Sequence, residues 1–271
     1  MKRNTLSVLA IVLLTAGIAT AQDGYNPLSV RPVHSSDVMY KKTVTRALDL
    51  REKQNLPFFS RNKELTALLI EGVIKGNIKA YENDSLQKQI TLNDFSTKLL
   101  SPTTANLPSD TVELYIMYGD DWKTIVENMK NEKYMARDLY QLEIKEEVVF
   151  DKQRSRMQYD IQTLTVYIPA DHPMNEKGIQ LPLASFSYKE LLENLFKDNP
   201  KAIWFNIQND QQHKNLADAF DLRLFSSYIT KVSNANDSYL TDIYNNSQKG
   251  IMASTWAAHE LMEYEHNLWE F

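Results

Sequence analysis

The sequence predicts an α+β fold with an N-terminal helical hairpin, a central antiparallel sheet and a long C-terminal helix. Two stretches with helical spacing of apolar residues come early in the chain. Stretches in which apolar and polar residues alternate follow, and another helical stretch comes last. Because helices and strands occupy separate parts of the chain, an antiparallel sheet is favoured over a parallel one. Glycine is scarce, with 7 residues in 271, so few loops are expected to depend on its backbone freedom.

The first 21 residues have the pattern of a secretory signal peptide. Lys2 and Arg3 supply positive charge, a short apolar run covers residues 6–18, and the Ala-Thr-Ala at 19–21 is a small-x-small cleavage site. The apolar run is shorter than the roughly 20 residues that a membrane-spanning helix needs. We therefore expect cleavage after residue 21 and a mature protein that does not insert into a membrane. An uncleaved N-terminal anchor is the alternative.

The composition excludes several classes of function. Cysteine is absent, which rules out thiolate zinc sites, cysteine nucleophiles, iron–sulfur clusters and lipid attachment at a cysteine. The net charge is −5 and becomes −7 when cleavage removes Lys2 and Arg3, the charged residues of the signal. This balance argues against binding nucleic acid or anionic lipid through bulk charge. The mature chain is predicted to be an extended arm over residues 22–34 followed by a single α+β domain over residues 35–271.

Two helices are predicted directly after the arm. The first begins at residue 36 or 37 and ends at Pro57, with Arg46 facing water. Its apolar face holds four residues at helical spacing: Tyr40, Val44, Ala47 and Leu48. The second runs from about Asn62 to Gly76, where a glycine is expected to end it. Together they are interpreted as an αα-hairpin.

The middle of the chain is predicted to form strands. Apolar and polar residues alternate over 111–118, 140–150, 156–168 and 203–207. The second and third of these segments are predicted to pair as a hairpin. Within the third, the apolar residues change parity near Thr163, which predicts a β-bulge or a strand break at that point.

The last third returns to helices. Short helices are predicted over 188–196 and 215–222, and the C-terminal helix over about 251–269. Residues 224–231 fit either a strand or a helix. Residues 233–249 are rich in Ser, Asn and Asp, which predicts a surface loop or a frayed helix start.

Catalytic signatures are missing from the sequence. It contains no nucleophile elbow, dinucleotide fingerprint, phosphate loop or H-E-x-x-H motif. Gly72 and Gly76 lack the Lys-Ser/Thr of a phosphate loop and are interpreted as close-packing and capping positions. Two acidic pairs are interpreted as solvated strand and turn positions: Glu146-Glu147 and Asp120-Asp121.

One local pattern on the C-terminal helix has the chemistry of a metal site. His259, Glu263 and His266 lie at i, i+4 and i+7, so they share a helix face, and a divalent ion accepts imidazole and carboxylate. These residues define an alternative function, a metal-dependent periplasmic hydrolase. However, the histidines are about 10.5 Å apart along the axis, more than a compact site allows. Met252 and Met262 lie near the same face, so we predict protein contact there, and no metal or cofactor.

The C-terminal helix also carries the candidate residues for partner contact. They combine aromatic, methionine and histidine side chains: Trp256, Met262, His266, Trp269 and Phe271. Aromatic residues commonly anchor protein interfaces. For the two tryptophans, an ordinary position in the core is an equal alternative.

Four blocks of the sequence resemble the GldN/PorN family, periplasmic components of the type IX secretion and gliding machinery of Bacteroidetes. The blocks are residues 46–59, residues 68–81, residues 140–155, and residues 225–229 together with 265–271. The third contains I-K-E-x-x-x-F-D-K-x-R-S and the last ends in E-H-x-L-W-x-F, which are the most specific features. The resemblance covers most of the mature chain.

The resemblance implies a structural, non-enzymatic role. Family members associate with an outer-membrane lipoprotein of the GldK/PorK kind and self-associate into large periplasmic rings, which are linked to the inner-membrane motor proteins GldL and GldM. This implies a periplasmic protein that a lipoprotein partner holds at the outer membrane. A free small-ligand-binding protein, the third possibility, has no support beyond the size of the chain.

Overall fold

The computed structural model describes residues 24–100, 115–117, 119–121, 123, 133–175, 177–244 and 247–268. The predicted signal peptide lies outside these ranges. None of the helices within them combines the length and the apolar character that crossing a membrane requires. The division into an arm and one domain stays a prediction.

A five-stranded antiparallel sheet forms the centre of the fold, as predicted. Its strands are β1 Val38–Asp49, β2 Gln141–Asp151, β3 Arg156–Ile168, β4 Leu181–Ser187 and β7 Tyr228–Val232, and a separate pair consists of β5 Ile203–Trp204 and β6 Lys214–Asn215. The sheet has the spatial order β4-β3-β2-β1-β7, and β5 pairs with β6 separately. The segment 224–231, which fitted either a strand or a helix, therefore contributes an edge strand. The strand predicted over 203–207 shrinks to the two residues of β5.

The predicted N-terminal helical hairpin is wrong, because its first half is strand β1. Tyr40, Val44 and Leu48 are spaced by four residues, and this spacing places side chains on one face of a helix and also on one face of a strand. The β-branched run at 43–45 favours the strand. Pairing with β2 along most of its length stabilises it. Arg46 consequently points into the molecule, with 13% of its side chain exposed.

Most of the helices contribute side chains to the apolar core on one face of the sheet. The helices are α1 Leu65–Ile74, α2 Leu92–Leu99, α3 Tyr188–Leu191, α4 Leu216–Asp221, α5 Leu240–Ile243 and α6 Ser247–Asn267. A π-helical turn, Leu192–Phe196, extends α3. The predicted helices over 188–196, over 215–222 and at the C-terminus are confirmed. The segment 233–249 contains α5 and the start of α6. Most of the strand predicted over 111–118 lies outside the described residues, and residues 115–117 are helical.

The two glycines of the second predicted helix have the roles expected of them. A Cβ atom at Gly72 would lie 2.9 Å from Leu195 Cδ1, so this position brings α1 close to the turn after α3. Gly76 has φ +73°. Its N–H donates to the Val73 carbonyl at 3.0 Å, and the Asn77 N–H donates to the Gly72 carbonyl at 2.9 Å. This is the Schellman pattern that ends many helices.

The predicted β2–β3 hairpin is confirmed, and of the two alternatives near Thr163, a bulge or a strand break, the structure has the bulge. Lys145 lies opposite Thr163 and Glu146 lies opposite Ile161, so Gln162 is the extra residue on β3. The bulge changes the parity of β3, and as a result Ile161 and Leu164 are both buried on the same side.

Two apolar clusters cover one face of the sheet. The larger lies under α1, α3 and α4 and includes Leu48, Ile144, Leu164, Phe186 and Phe220. The smaller consists of Val44, Val148, Phe150, Met157, Ile229 and Leu261. Along β2, Glu146 separates the two clusters, because side chains alternate and its neighbours on that face belong to one cluster or the other. The opposite face is polar, and the arm contacts it where Asn26 donates to Glu147 at 2.9 Å.

Candidate interaction surface

The inner face of α6 is fixed against the sheet. Leu261 is 3% exposed and belongs to the smaller apolar cluster. Near the start of the helix, a Cβ atom at Gly250 would lie 2.9 Å from Thr241 Cγ2 and 3.0 Å from Thr241 Cα, so α6 approaches α5 closely there. Farther along, the ring centroids of Tyr264 and Tyr40 are 4.2 Å apart. These contacts set the rotation of α6 about its axis.

The outer face of α6 exposes large apolar side chains. Trp256 is 79% exposed and Met252, one turn earlier, is 61% exposed. Ile251 is exposed beside them. These three residues are called the outer strip below. The core alternative is therefore wrong for Trp256. Among the other candidates for partner contact, Met262 and His266 are exposed, while Trp269 and Phe271 lie outside the described residues.

The candidate metal ligands share the exposed side of α6. His259, Glu263 and His266 are all exposed. Within the ranges that the structure describes, no three His, Cys, Asp or Glu side chains are arranged to hold one metal ion. Ligands on a single helix need spacings of about one turn to converge on an ion. The two histidines are separated by i, i+7, which explains why these three side chains do not converge.

The acidic pair Glu146-Glu147 lies on two faces of the sheet, so it is not a catalytic dyad. Glu147 points to the polar face, where its carboxylate is 2.9 Å from the Lys41 amine. Glu146 points to the apolar face and its side chain is 0% exposed. The interpretation of both as solvated positions is wrong for Glu146. Of the other pair, Asp121 is exposed.

Two arginines neutralise the buried Glu146. Arg46 on β1 donates its Nε to Glu146 Oε1. Arg223, which follows α4, donates one terminal nitrogen to Glu146 Oε2 at 2.7 Å and the other to Oε1 at 3.4 Å. Charge-assisted bonds of this kind offset the cost of burying a carboxylate. Sequence reasoning missed this cluster because it placed Arg46 on a helix; the strand parity of Val44, Arg46 and Leu48 was the available signal.

A second carboxylate with an unusual environment lies on the polar face. Burial raises the pKa of Glu143, and the Tyr167 hydroxyl, which donates to Glu143 Oε1 at 3.4 Å, opposes this effect. Both line a cavity of about 360 Å³. A carboxyl group with a raised pKa is a requirement of acid catalysis. Two lysines on the same face of the sheet form ion pairs with aspartates, Lys145 with Asp84 at 2.9 Å and Lys231 with Asp237 at 2.5 Å. The arrangement is that of a satisfied polar cluster.

Comparison with known families gives one assignment. Residues 33–270 match the family described as "Gliding motility associated protein GldN". The match includes α6, the arginines around Glu146 and all strands of the sheet. A search of curated proteins found no match for the chain.

Proposed function

Because the chain belongs to the GldN family, which is associated with gliding motility and type IX secretion, we propose that it is a non-enzymatic structural component of that apparatus. It acts in the periplasm after removal of the signal peptide. It assembles into a ring with further copies of itself and with an outer-membrane lipoprotein of the GldK/PorK kind, and the ring is linked to motor proteins of the GldL/GldM kind.

The observation that carries this proposal is the outer strip on α6. Its large apolar side chains are displayed on a helix whose other side is anchored in the sheet. Exposed apolar patches on a soluble domain commonly mark protein contacts, and tryptophan is enriched among the residues that dominate binding energy. Because α6 is already positioned, a partner would bind it without first ordering it. We assign the outer strip to the lipoprotein contact.

The metal-dependent hydrolase receives no comparable support. Its candidate ligands are exposed on one helix and do not converge. Elemental analysis of the purified mature protein separates the two ideas, because a hydrolase of this type requires a stoichiometric metal and the structural role does not.

A complementation experiment tests the proposed function. A strain lacking the gene should lose export of type IX cargo and surface spreading, and wild-type protein should restore both. The double variant Met252→Ala, Trp256→Ala should restore neither fully and should lose copurification with the lipoprotein. Met135→Ala is the matched control, because Met135 is at least as exposed as Met252, 71% against 61%, but lies far from α6 in the chain.

Two outcomes count against the proposal. Normal export in the deletion strain would contradict a role in the apparatus. Normal copurification of the double variant, at normal protein levels, would contradict the assignment of the outer strip to the lipoprotein contact.

A further inference from the structure

A cavity opens between α6 and the buried ionic cluster. It has a volume of about 420 Å³. Its polar walls include Arg46, Arg223, Ser226 and Ser227, and its apolar walls include Phe225 and Met262. We call this cavity the arginine pocket. Its lining contains no aspartate or glutamate, unlike the polar cavity around Glu143.

The charges beneath the arginine pocket do not cancel. Glu146 is one negative charge between two arginines, which leaves an excess of one positive charge. Arg46 bonds Glu146 through Nε alone, and its two terminal nitrogens have no acceptor among the described residues. Glu265 on α6 brings a negative charge near the lining residue Tyr159, but it lies outside the pocket lining itself and accepts from the Met157 backbone N–H at 3.3 Å.

Both arginines are held in place before any ligand arrives. The guanidinium of Arg223 lies 4.9 Å from the ring centroid of Tyr159 and 5.2 Å from that of Phe225. Its backbone has φ +52°, a conformation that costs free energy in a residue with a side chain. Arg46 is fixed by the sheet on both sides, where β2 and β7 pair with β1. Donors that are already oriented bind an anion without losing side-chain freedom.

From this geometry we infer that the arginine pocket binds the carboxylate of an aspartate or glutamate side chain on a protein partner. The excess positive charge is complementary to one carboxylate, which accepts from Arg46 and from the serine hydroxyls. An apolar side chain next to that carboxylate contacts Phe225 and Met262. The inference rests on the proposed function only in taking the occupant to be a protein. It adds the chemistry that the partner must present beside α6.

Peptide binding to the mature protein tests the inference. The probes are acetyl-Leu-Glu-Leu-amide and acetyl-Leu-Gln-Leu-amide, which differ in charge and not in shape. The observed signals are the NMR resonances of the Nε–H groups of Arg46 and Arg223. The glutamate peptide should shift both in a saturable manner, and the glutamine peptide should bind at least tenfold more weakly.

A pair of variants shows whether binding occurs in the pocket. Ser227→Glu places a carboxylate in the pocket without removing either arginine, and should weaken binding of the glutamate peptide at least tenfold. Ser233→Glu adds the same charge at an exposed position outside the pocket and should leave binding unchanged. Equal binding of the two peptides, or unchanged binding to Ser227→Glu, overturns the inference.

Other occupants would give different results. If inorganic phosphate shifts the same resonances at lower concentrations than the glutamate peptide, the site takes a small anion and the inference is wrong. If Glu270→Gln tightens peptide binding severalfold, the chain's own tail is the occupant, which also overturns it. The peptide assay uses the isolated protein, so its failure would leave the export assay of the proposed function unaffected.

Discussion

Leu261 anchors α6 to the sheet, and replacing it with alanine should destabilise the protein by about 3 kcal/mol. Leu261 is 3% exposed and contacts a cluster whose members come from four strands of the sheet. Removing three buried carbons costs about 2.4 kcal/mol at about 0.8 kcal/mol per buried group. A residual cavity adds to this cost because paired strands collapse into it only partly.

Met262→Ala provides the matched control for Leu261→Ala. Met262 is the next residue on the same helix and is 53% exposed, so its truncation should cost under about 1 kcal/mol. Urea unfolding of wild type and both variants, followed by circular dichroism, measures the difference. Equal losses in the two variants, or a loss under about 1 kcal/mol for Leu261→Ala, would refute the idea that the sheet holds α6 through this residue.

Three further predictions concern the rest of the fold. Gly250→Ala should cost about 1–3 kcal/mol in urea unfolding, because the added Cβ meets the backbone of α5. Glu146→Ala should cost about 3–5 kcal/mol in thermal denaturation, because it leaves two arginines without their buried partner. Glu147→Ala on the polar face should cost under about 1 kcal/mol in the same assay. Equal losses would contradict the assignment of the two faces. Glu143→Gln should raise the urea midpoint at neutral pH. Burial raises the pKa of Glu143 in the folded state, so the stability from its protonated form is present at low pH and is lost as the pH rises through the folded pKa. The advantage of the variant should therefore vanish below about pH 4, where the wild-type carboxyl is also neutral, and an advantage that persists there would contradict this account.

The β2–β3 hairpin was predictable because its pattern has a single interpretation. Strict alternation indicates strands, and the change of parity near Thr163 left a bulge or a strand break as alternatives. The structure has a bulge, with Gln162 as the extra residue. Strand β1 was mistaken for a helix because its apolar residues recur every four positions, which suits both structures. Pairing with distant strands decided the outcome, and a single sequence does not show that pairing.

The candidate surface was only partly predictable. Helical spacing placed Trp256 and Met262 on α6, but the register against the sheet decided that Trp256 faces outward. The burial of Glu146 was not predictable while Arg46 was assigned to a helix, since the two side chains lie diagonally on one face of the sheet only when both residues are on strands. The cavity around Glu143 is formed by segments far apart in the chain, and spacing alone carries no signal for it.

The position of β1 determines when the sheet can form. Arg46 lies opposite Ile144 on one side and Ile229 on the other, so the earliest strand is flanked by two that are made much later. Contacts between residues so distant in sequence slow folding, because the entropy of closing a long loop is lost before the contacts contribute any stabilising free energy. A polypeptide leaving the ribosome or a translocation channel therefore holds its first strand unpaired until β2, which ends at Asp151, has emerged, and until then the unpaired strand is exposed to aggregation.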